Sequence, residues 1–313
     1  MTKRTLNIGT RASTLALWQA NWVKQQLEQR YPDLQVGLTK IKTQGDKILD
    51  VPLAKVGGKG LFVKEIQEAM LRHEVDIAVH SMKDVPTVFP EGTALRCITE
   101  REDPRDALVL KKGCDSFAQI RRNGLIGTSS LRRKAQLLHQ RPDLEMVDIR
   151  GNVQTRLSKL ESQNLDAVVL AAAGMQRLGF AEQISEYLEP TLCLPAIGQG
   201  ALGLESRIDD AATNQLIDFL NHPLTAATVK AERAVLATLE GGCQVPIAAY
   251  ATVDHDQLEL TALVSDVVGK RFLKQTARCH LDQAEETGVV LARALLEEGA
   301  GDILNEVYGC KTF

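Results

Sequence analysis

The sequence predicts an α/β protein in which helices cover parallel sheets, followed by a smaller α+β region. Short apolar runs alternate with amphipathic stretches through the first 200 residues, as strands and helices of a covered parallel sheet do. Each run breaks into a polar or glycine-containing turn. After Asn221-His222-Pro223 the order changes to helix, two strands and helix.

Leu6 to Thr10 reads as the first strand. A helix follows from about Thr14, with Leu15, Leu17, Trp18, Trp22, Val23 and Leu27 on one face and Ser13 placed to cap it. Val75 to His80, Leu125 to Gly127, Met146 to Ile149 and Leu165 to Leu170 read as further strands. Two pairs of segments look related: Ile8-Gly9-Thr10 with Ile126-Gly127-Thr128, and Asp76 to Val79 with Asp166 to Val169. Their offsets, 118 and 90, raise the expectation of two similar α/β domains, although any two parallel strands look alike.

Arg101 to Asp106 and Leu194 to Gly200 read as linkers that bracket a second domain. The predicted division is 1–100 with 200–220 as a discontinuous N-terminal α/β domain, 101–199 as a second, and 221–313 as the α+β domain. In that last part a helix is expected from about Ala226 to Glu240, then a Gly-Gly-Cys turn. Strands near 245–253 and 258–265 and a helix over 282–298 complete it.

The chain has 313 residues, 44% hydrophobic and 25% charged, with 37 Lys+Arg against 40 Asp+Glu. A formal charge of −3 excludes a general nucleic-acid coat or a polybasic membrane binder. The charge is unevenly placed. Residues 221–313 hold 8 basic against 13 acidic side chains, whereas residues 121–177 hold ten against five. The longest apolar run, Ala167 to Met175, is far below the ~20 residues a membrane helix needs, and no secretory leader is read at the start. A cytoplasmic protein is expected. Six cysteines lie far apart without Cys-x-x-Cys, so neither a metal site nor a disulfide framework is expected.

Arginines gather after strand ends: Arg11 after the first, Arg132 and Arg133 after Gly127-Thr128-Ser129-Ser130, Arg150 and Arg156 after Val147-Asp148-Ile149, and Arg177 after Leu170. Ligands of open parallel sheets bind beyond the carboxyl ends of strands, where helix N-termini offer free N–H groups. Arginine adds a planar fork for carboxylate, and Ser13, Thr128, Ser129 and Ser130 add hydroxyls. One such arginine is an ordinary surface residue; four similar turns predict a multiply anionic ligand.

His80-Ser81-Met82-Lys83-Asp84-Val85-Pro86 ends an apolar strand with a carboxylate beside a lysine. Asp84 there is a proton donor or a stabiliser of developing positive charge, or simply a turn former; His80 is more often packed than basic. Lys55-Val56-Gly57-Gly58-Lys59-Gly60-Leu61-Phe62 lacks the Gly-Lys-Ser/Thr of a P-loop, and is a flap over an anionic site or a plain surface loop. Gly198-Gln199-Gly200-Ala201-Leu202-Gly203 fits G-x-G-x-x-G in letters only, because it leads into a strand rather than a helix; it reads as a hinge. Cys243, on the turn Glu240-Gly241-Gly242-Cys243, is either a nucleophile or an inert buried thiol.

With these stretches in their order, from Thr10-Arg11-Ala12-Ser13 through Arg150-Gly151-Asn152-Val153 to Glu240-Gly241-Gly242-Cys243-Gln244-Val245-Pro246, the chain resembles the porphobilinogen deaminase (hydroxymethylbilane synthase) family. The resemblance implies two similar periplasmic-binding-protein-like α/β domains plus a smaller α+β domain carrying the cofactor cysteine. It also implies a transferase that condenses four porphobilinogen molecules on a dipyrromethane joined by a thioether to Cys243. Asp84 would be the catalytic carboxylate. Cofactor and substrate carboxylates would be bound by Arg11, Ser13, Ser81, Lys83, Thr128, Ser129, Ser130, Arg132, Arg133, Arg150, Arg156, Arg177 and Gln199. Lys55, Lys59 and Phe62 would belong to a flexible loop. The implied partners are porphobilinogen and the growing pyrrole chain, with no nucleic acid, no membrane and a monomeric state. The rival from another class is a non-catalytic two-lobed anion-binding protein, which needs neither Asp84 nor a covalent cysteine.

Overall fold

The computed structural model describes residues 4–47, 62–240 and 245–308. They form two compact units. One takes the described residues up to Glu102 together with Ala201–Ala226, and the other takes Asp103–Gly200 with the described residues from Ala227 onward.

The first unit is built on a five-stranded sheet of β1 (Arg4–Thr10), β2 (Leu34–Lys40), β3 (Ile77–Ser81), β4 (Thr93–Ile98) and β10 (Leu202–Arg207), in the order β2-β1-β3-β10-β4. β1 runs parallel to β2 and β3, while β10 is antiparallel to both β3 and β4. The first helix, α1 (Thr14–Arg30), starts where expected, with Ser13 Oγ accepting the Ala16 N–H at 3.3 Å. Its buried face differs from the apolar face read from sequence. Gln19, Ala20, Val23 and Leu27 are buried, and the bulkier Trp18 and Trp22 are half-buried. Small Ala20 lets the helix lie close to the sheet, so the indoles fall to its margin. Leu6, Ile8, Ile77, Val79, Leu202 and Leu204 meet that face to make the core.

The second unit carries a sheet of β5 (Asp106–Leu110), β6 (Leu125–Gly127), β7 (Glu145–Val147), β8 (Ala167–Ala171) and β9 (Glu186–Leu188), ordered β7-β6-β8-β5-β9. Three parallel strands are again followed by two alternating ones. The equivalence is residue by residue. Ile8 pairs with Ile77 as Ile126 pairs with Ala167, at the offsets read from sequence. Asp76 Oδ2 accepts the Asn7 N–H at 2.7 Å, and Asp166 Oδ2 accepts the Leu125 N–H at 2.7 Å. The two α/β domains are therefore similar in strand order, in strand sense and in this anchoring bond.

Sequence boundaries shift in places. β7 ends at Val147 rather than Ile149, and Asp106, expected in a linker, opens β5. Beyond α8 (Pro223–Thr238) lies an antiparallel sheet of β11 (Ile247–Asp254), β12 (Gln257–Ser265) and β13 (Phe272–His280), covered by α9 (Ala284–Glu297) and α10 (Ala300–Tyr308). β13 was not expected from the sequence. Its residues alternate between half-buried and exposed, so it lacks a strong apolar pattern. Leu258, Leu260, Leu291, Leu295 and Val235 form the core here. The β12–β13 turn docks on α4 (Leu131–Gln140): His139 Nδ1 lies 2.8 Å from the Gly269 carbonyl oxygen, and the His139 and Phe272 rings stack at 3.9 Å. No helix among the described residues is long and apolar enough to cross a membrane.

Candidate functional site

In the first unit the carboxyl ends of β1 and β3 open into a pocket lined by side chains from both. Arg11 and Ser13 come from the turn between β1 and α1, and Ser81 and Asp84 from the end of β3. A single helical turn, Met82–Asp84, follows β3. Met82 and Val85 are buried and fix the turn, which leaves Lys83 and Asp84 half-exposed between them. Among the described residues nothing bonds the Asp84 carboxylate. Ser81 Oγ accepts a hydrogen bond from Gln19 Nε2 at 2.8 Å. Gln19 lines the pocket and was missed in the sequence reading; its signal was a polar side chain on the inner face of α1.

Arg11 is paired with a protein carboxylate. Its Nε and Nη2 reach Asp46 Oδ1 at 3.1 and 2.5 Å, and its guanidinium lies 4.2 Å from the centre of the Phe62 ring. Burial alone would raise the Asp46 pKa, but hydrogen bonds from Arg11 and Thr43 outweigh it and hold the carboxyl below its ordinary value. His80 is packed, as the commoner reading of a strand histidine held. Its Nε2 lies 3.0 Å from Oε2 of Glu205, which is fully buried on β10. Gln67 Nε2 and Thr93 Oγ1 donate to the same carboxylate at 3.0 and 2.7 Å, so the buried charge is met by several donors.

The second unit gathers another group of the expected residues. Thr128 is buried, Ser129 Oγ donates to the Ile149 carbonyl, and Ser130 caps α4 by accepting the Arg133 N–H at 3.4 Å. Arg132 and Arg133 in the first turn of α4 point inward onto Asp106, at 2.8 and 2.7 Å. Gln199 Nε2 donates to Asp106 Oδ1 at 2.9 Å and to the Pro104 carbonyl at 2.7 Å. Arg132 also donates to the Leu194 carbonyl at 2.6 Å. Asp106 is fully buried, which by itself raises its pKa, yet the two guanidinium groups pull it far below the ordinary carboxylate value. Burial pushes the neighbouring Cys193 thiol up to about 12, so it stays protonated and donates to Asp106 Oδ2 at 3.3 Å.

Arg150 and Arg156 flank the start of α5 (Val153–Ser162) and are half-buried. Arg177 ends α6 (Ala172–Arg177) and donates to the Gly200 carbonyl at 2.6 Å. Gly198 and Gly200 both have positive φ, 68° and 97°, a backbone region that favours glycine. Lys55, Lys59 and Cys243 lie outside the described residues. Not read from sequence were the acidic partners Asp46 and Asp106 of the arginines, and Glu205 beside His80. Single carboxylates in strands and turns carry no periodic signal of burial.

A doubled α/β scaffold with an open carboxylate, hydroxyls and arginine at strand ends defines a protein that binds an anionic substrate and can move protons or steady a cation beside it. Family comparison gives this class its particular member. Residues 6–215 match the profile described as porphobilinogen deaminase, dipyromethane cofactor binding domain, and residues 226–297 match the porphobilinogen deaminase C-terminal domain. The chain is 62% identical over 308 residues to a porphobilinogen deaminase of Geotalea uraniireducens, covering 98% of this chain and 96% of that one. It is 63% identical over 303 residues to that of Geobacter sulfurreducens, covering 97% and 95%. It belongs to the porphobilinogen deaminase family. Among solved structures, a probable amino-acid ABC transporter extracellular-binding protein from Bacillus subtilis aligns with a TM-score of 0.44 at 12% identity, over 69% of this chain and 90% of that one.

Proposed function

We propose that the protein deaminates porphobilinogen and condenses four molecules head to tail into linear hydroxymethylbilane, on a dipyrromethane primer held by Cys243. What carries this reading is 62% identity over 98% of the chain with a porphobilinogen deaminase. That match favours it over a non-catalytic anion-binding protein. When bound, the primer supplies the terminal pyrrole from which the chain grows.

The donor set fits a group rich in acetate and propionate arms, because hydroxyls, capped helix starts and arginines recur at the strand ends. In the first unit we assign carboxylate binding to Arg11, Ser13, Ser81 and Lys83. In the second we assign it to Thr128, Ser129, Ser130, Arg132, Arg133, Arg150, Arg156, Arg177 and Gln199. Lys55, Lys59 and Phe62 are assigned to a loop over the site. Asp84 is the catalytic carboxylate. Loss of ammonia leaves positive charge on the substrate pyrrole, and a fixed carboxylate at the pocket stabilises that charge and exchanges a proton at its oxygen. The half-exposed Asp84, set between buried Met82 and Val85, supports this role.

We further propose three domains, 1–100 with 200–220, 101–199 and 221–313; each range carries most or all of one of the three sheets. A cytoplasmic monomer, with neither nucleic acid nor membrane as partner, completes the reading and is supported by the near-neutral charge. Denaturing intact mass provides the test. The wild type should be heavier than its sequence by two linked pyrroles and Cys243→Ala should not; Asp84→Asn should keep the added mass but lose turnover by roughly a hundredfold or more. An unmodified, active wild type would reject the covalent primer, and normal turnover by Asp84→Asn would reject the role of Asp84.

A further inference from the structure

We propose that Asp46 is the positioning residue for Arg11, holding one edge of the guanidinium so that the other meets a substrate carboxylate. The inference rests on the assignment of Arg11 to carboxylate binding made above. A guanidinium has two edges able to grip a carboxylate, one formed by Nε with Nη2 and one by Nη1 with Nη2. Asp46 occupies the first: Oδ1 accepts from Nε at 3.1 Å and from Nη2 at 2.5 Å. Among the described residues none accepts a hydrogen bond from Nη1, so none of them takes up the second edge.

Asp46 is itself anchored. Its Oδ2 accepts from Thr43 Oγ1 at 2.8 Å and from the Thr43 N–H at 3.2 Å, and Thr43 is fully buried. Phe62 covers a face of the same guanidinium at 4.2 Å. With one edge and one face engaged, the long side chain has little rotamer freedom left to lose when a ligand binds, which is the physical content of preorganisation. Arg11 still keeps 24% of its side chain exposed and lines the pocket that holds Ser13, Ser81 and Asp84. A pyrrole whose carboxylate grips that second edge is thereby oriented toward Asp84.

The opposite effect is also physically defined. If Asp46 instead competed with substrate for Arg11, removing its charge would tighten binding. Steady-state kinetics of the holoenzyme with porphobilinogen separates the two. Asp46→Asn keeps the side-chain size and an acceptor for Thr43 while losing the charge. It should raise KM by roughly tenfold with kcat changed less than about twofold, the size expected when one charge-assisted contact is misaimed. Asp46→Glu, which restores a carboxylate, should recover most of the loss.

In an Arg11→Met background Asp46→Asn should add nothing, because the two act as one unit. An unchanged or lowered KM for Asp46→Asn overturns the proposal, and so does an equal rise in both backgrounds. If Arg11→Met alone leaves KM unaltered, the assignment of Arg11 fails and the proposal with it. If Arg11→Met raises KM and Asp46→Asn does not, only the positioning role fails.

Discussion

Asp106 is the residue on which Arg132 and Arg133 depend. It is fully buried, and Arg132, Arg133 and Gln199 all bond it. Replacing it by Asn leaves two buried guanidinium groups without their counter-charge, a change that costs about 3 to 5 kcal/mol. The pH dependence follows from its lowered pKa. A carboxyl depressed on folding contributes stability fully above its unfolded value of about 3.9, and loses it as pH falls through the folded value. Urea unfolding of wild type and Asp106→Asn should therefore differ by a constant amount from pH 5 to 8, and the gap should close only in stronger acid. A gap that closes near neutral pH would contradict this account. The pairing of Arg132 and Arg133 with Asp106 was not legible from sequence, where the strand-end arginines read as a site for an anionic ligand and Asp106 as part of a linker.

At the level of elements, N-caps were the most legible feature. Ser13 accepts an N–H three residues on, as its place just before a helical pattern predicts, and Ser130, read from sequence as a ligand hydroxyl, does the same. β13 was illegible, since it carries Lys274, Gln275, Thr276 and Arg278 and takes its place only by pairing with β12. The docking of its turn makes a sharp test. Gly269 has φ of +74°, and a Cβ there would lie 2.2 Å from the Ala135 carbonyl oxygen of α4. Gly269→Ala should destabilise the protein by roughly 1 to 3 kcal/mol, through strain and displacement of the turn from α4. A lowered thermal midpoint together with loss of the perturbed His139 ring signal in NMR would bear this out; an unchanged midpoint would not.

Across the whole molecule the dominant feature is duplication. Asp76 and Asp166 make the same bond to the neighbouring strand in the two α/β sheets, at positions the sequence offsets of 118 and 90 relate. Asp76→Ala and Asp166→Ala should each cost about 1.5 to 3 kcal/mol in chemical denaturation, because each carboxylate accepts a backbone N–H and also an arginine, Arg207 or Arg121. Costs differing severalfold would mean that the repeat is formal rather than energetic. By itself the sequence determined the α/β class, the paired strand ends, the helix caps and the family, because these rest on residues close together in the chain. Only the tertiary structure decided which carboxylate faces Arg11, Arg133 and His80. Asp46 meets Arg11 across 35 residues, Asp106 meets Arg133 across 27, and Glu205 meets His80 across 125. Those pairings are set by strand order and by the burial of charge, which no local pattern in the chain encodes.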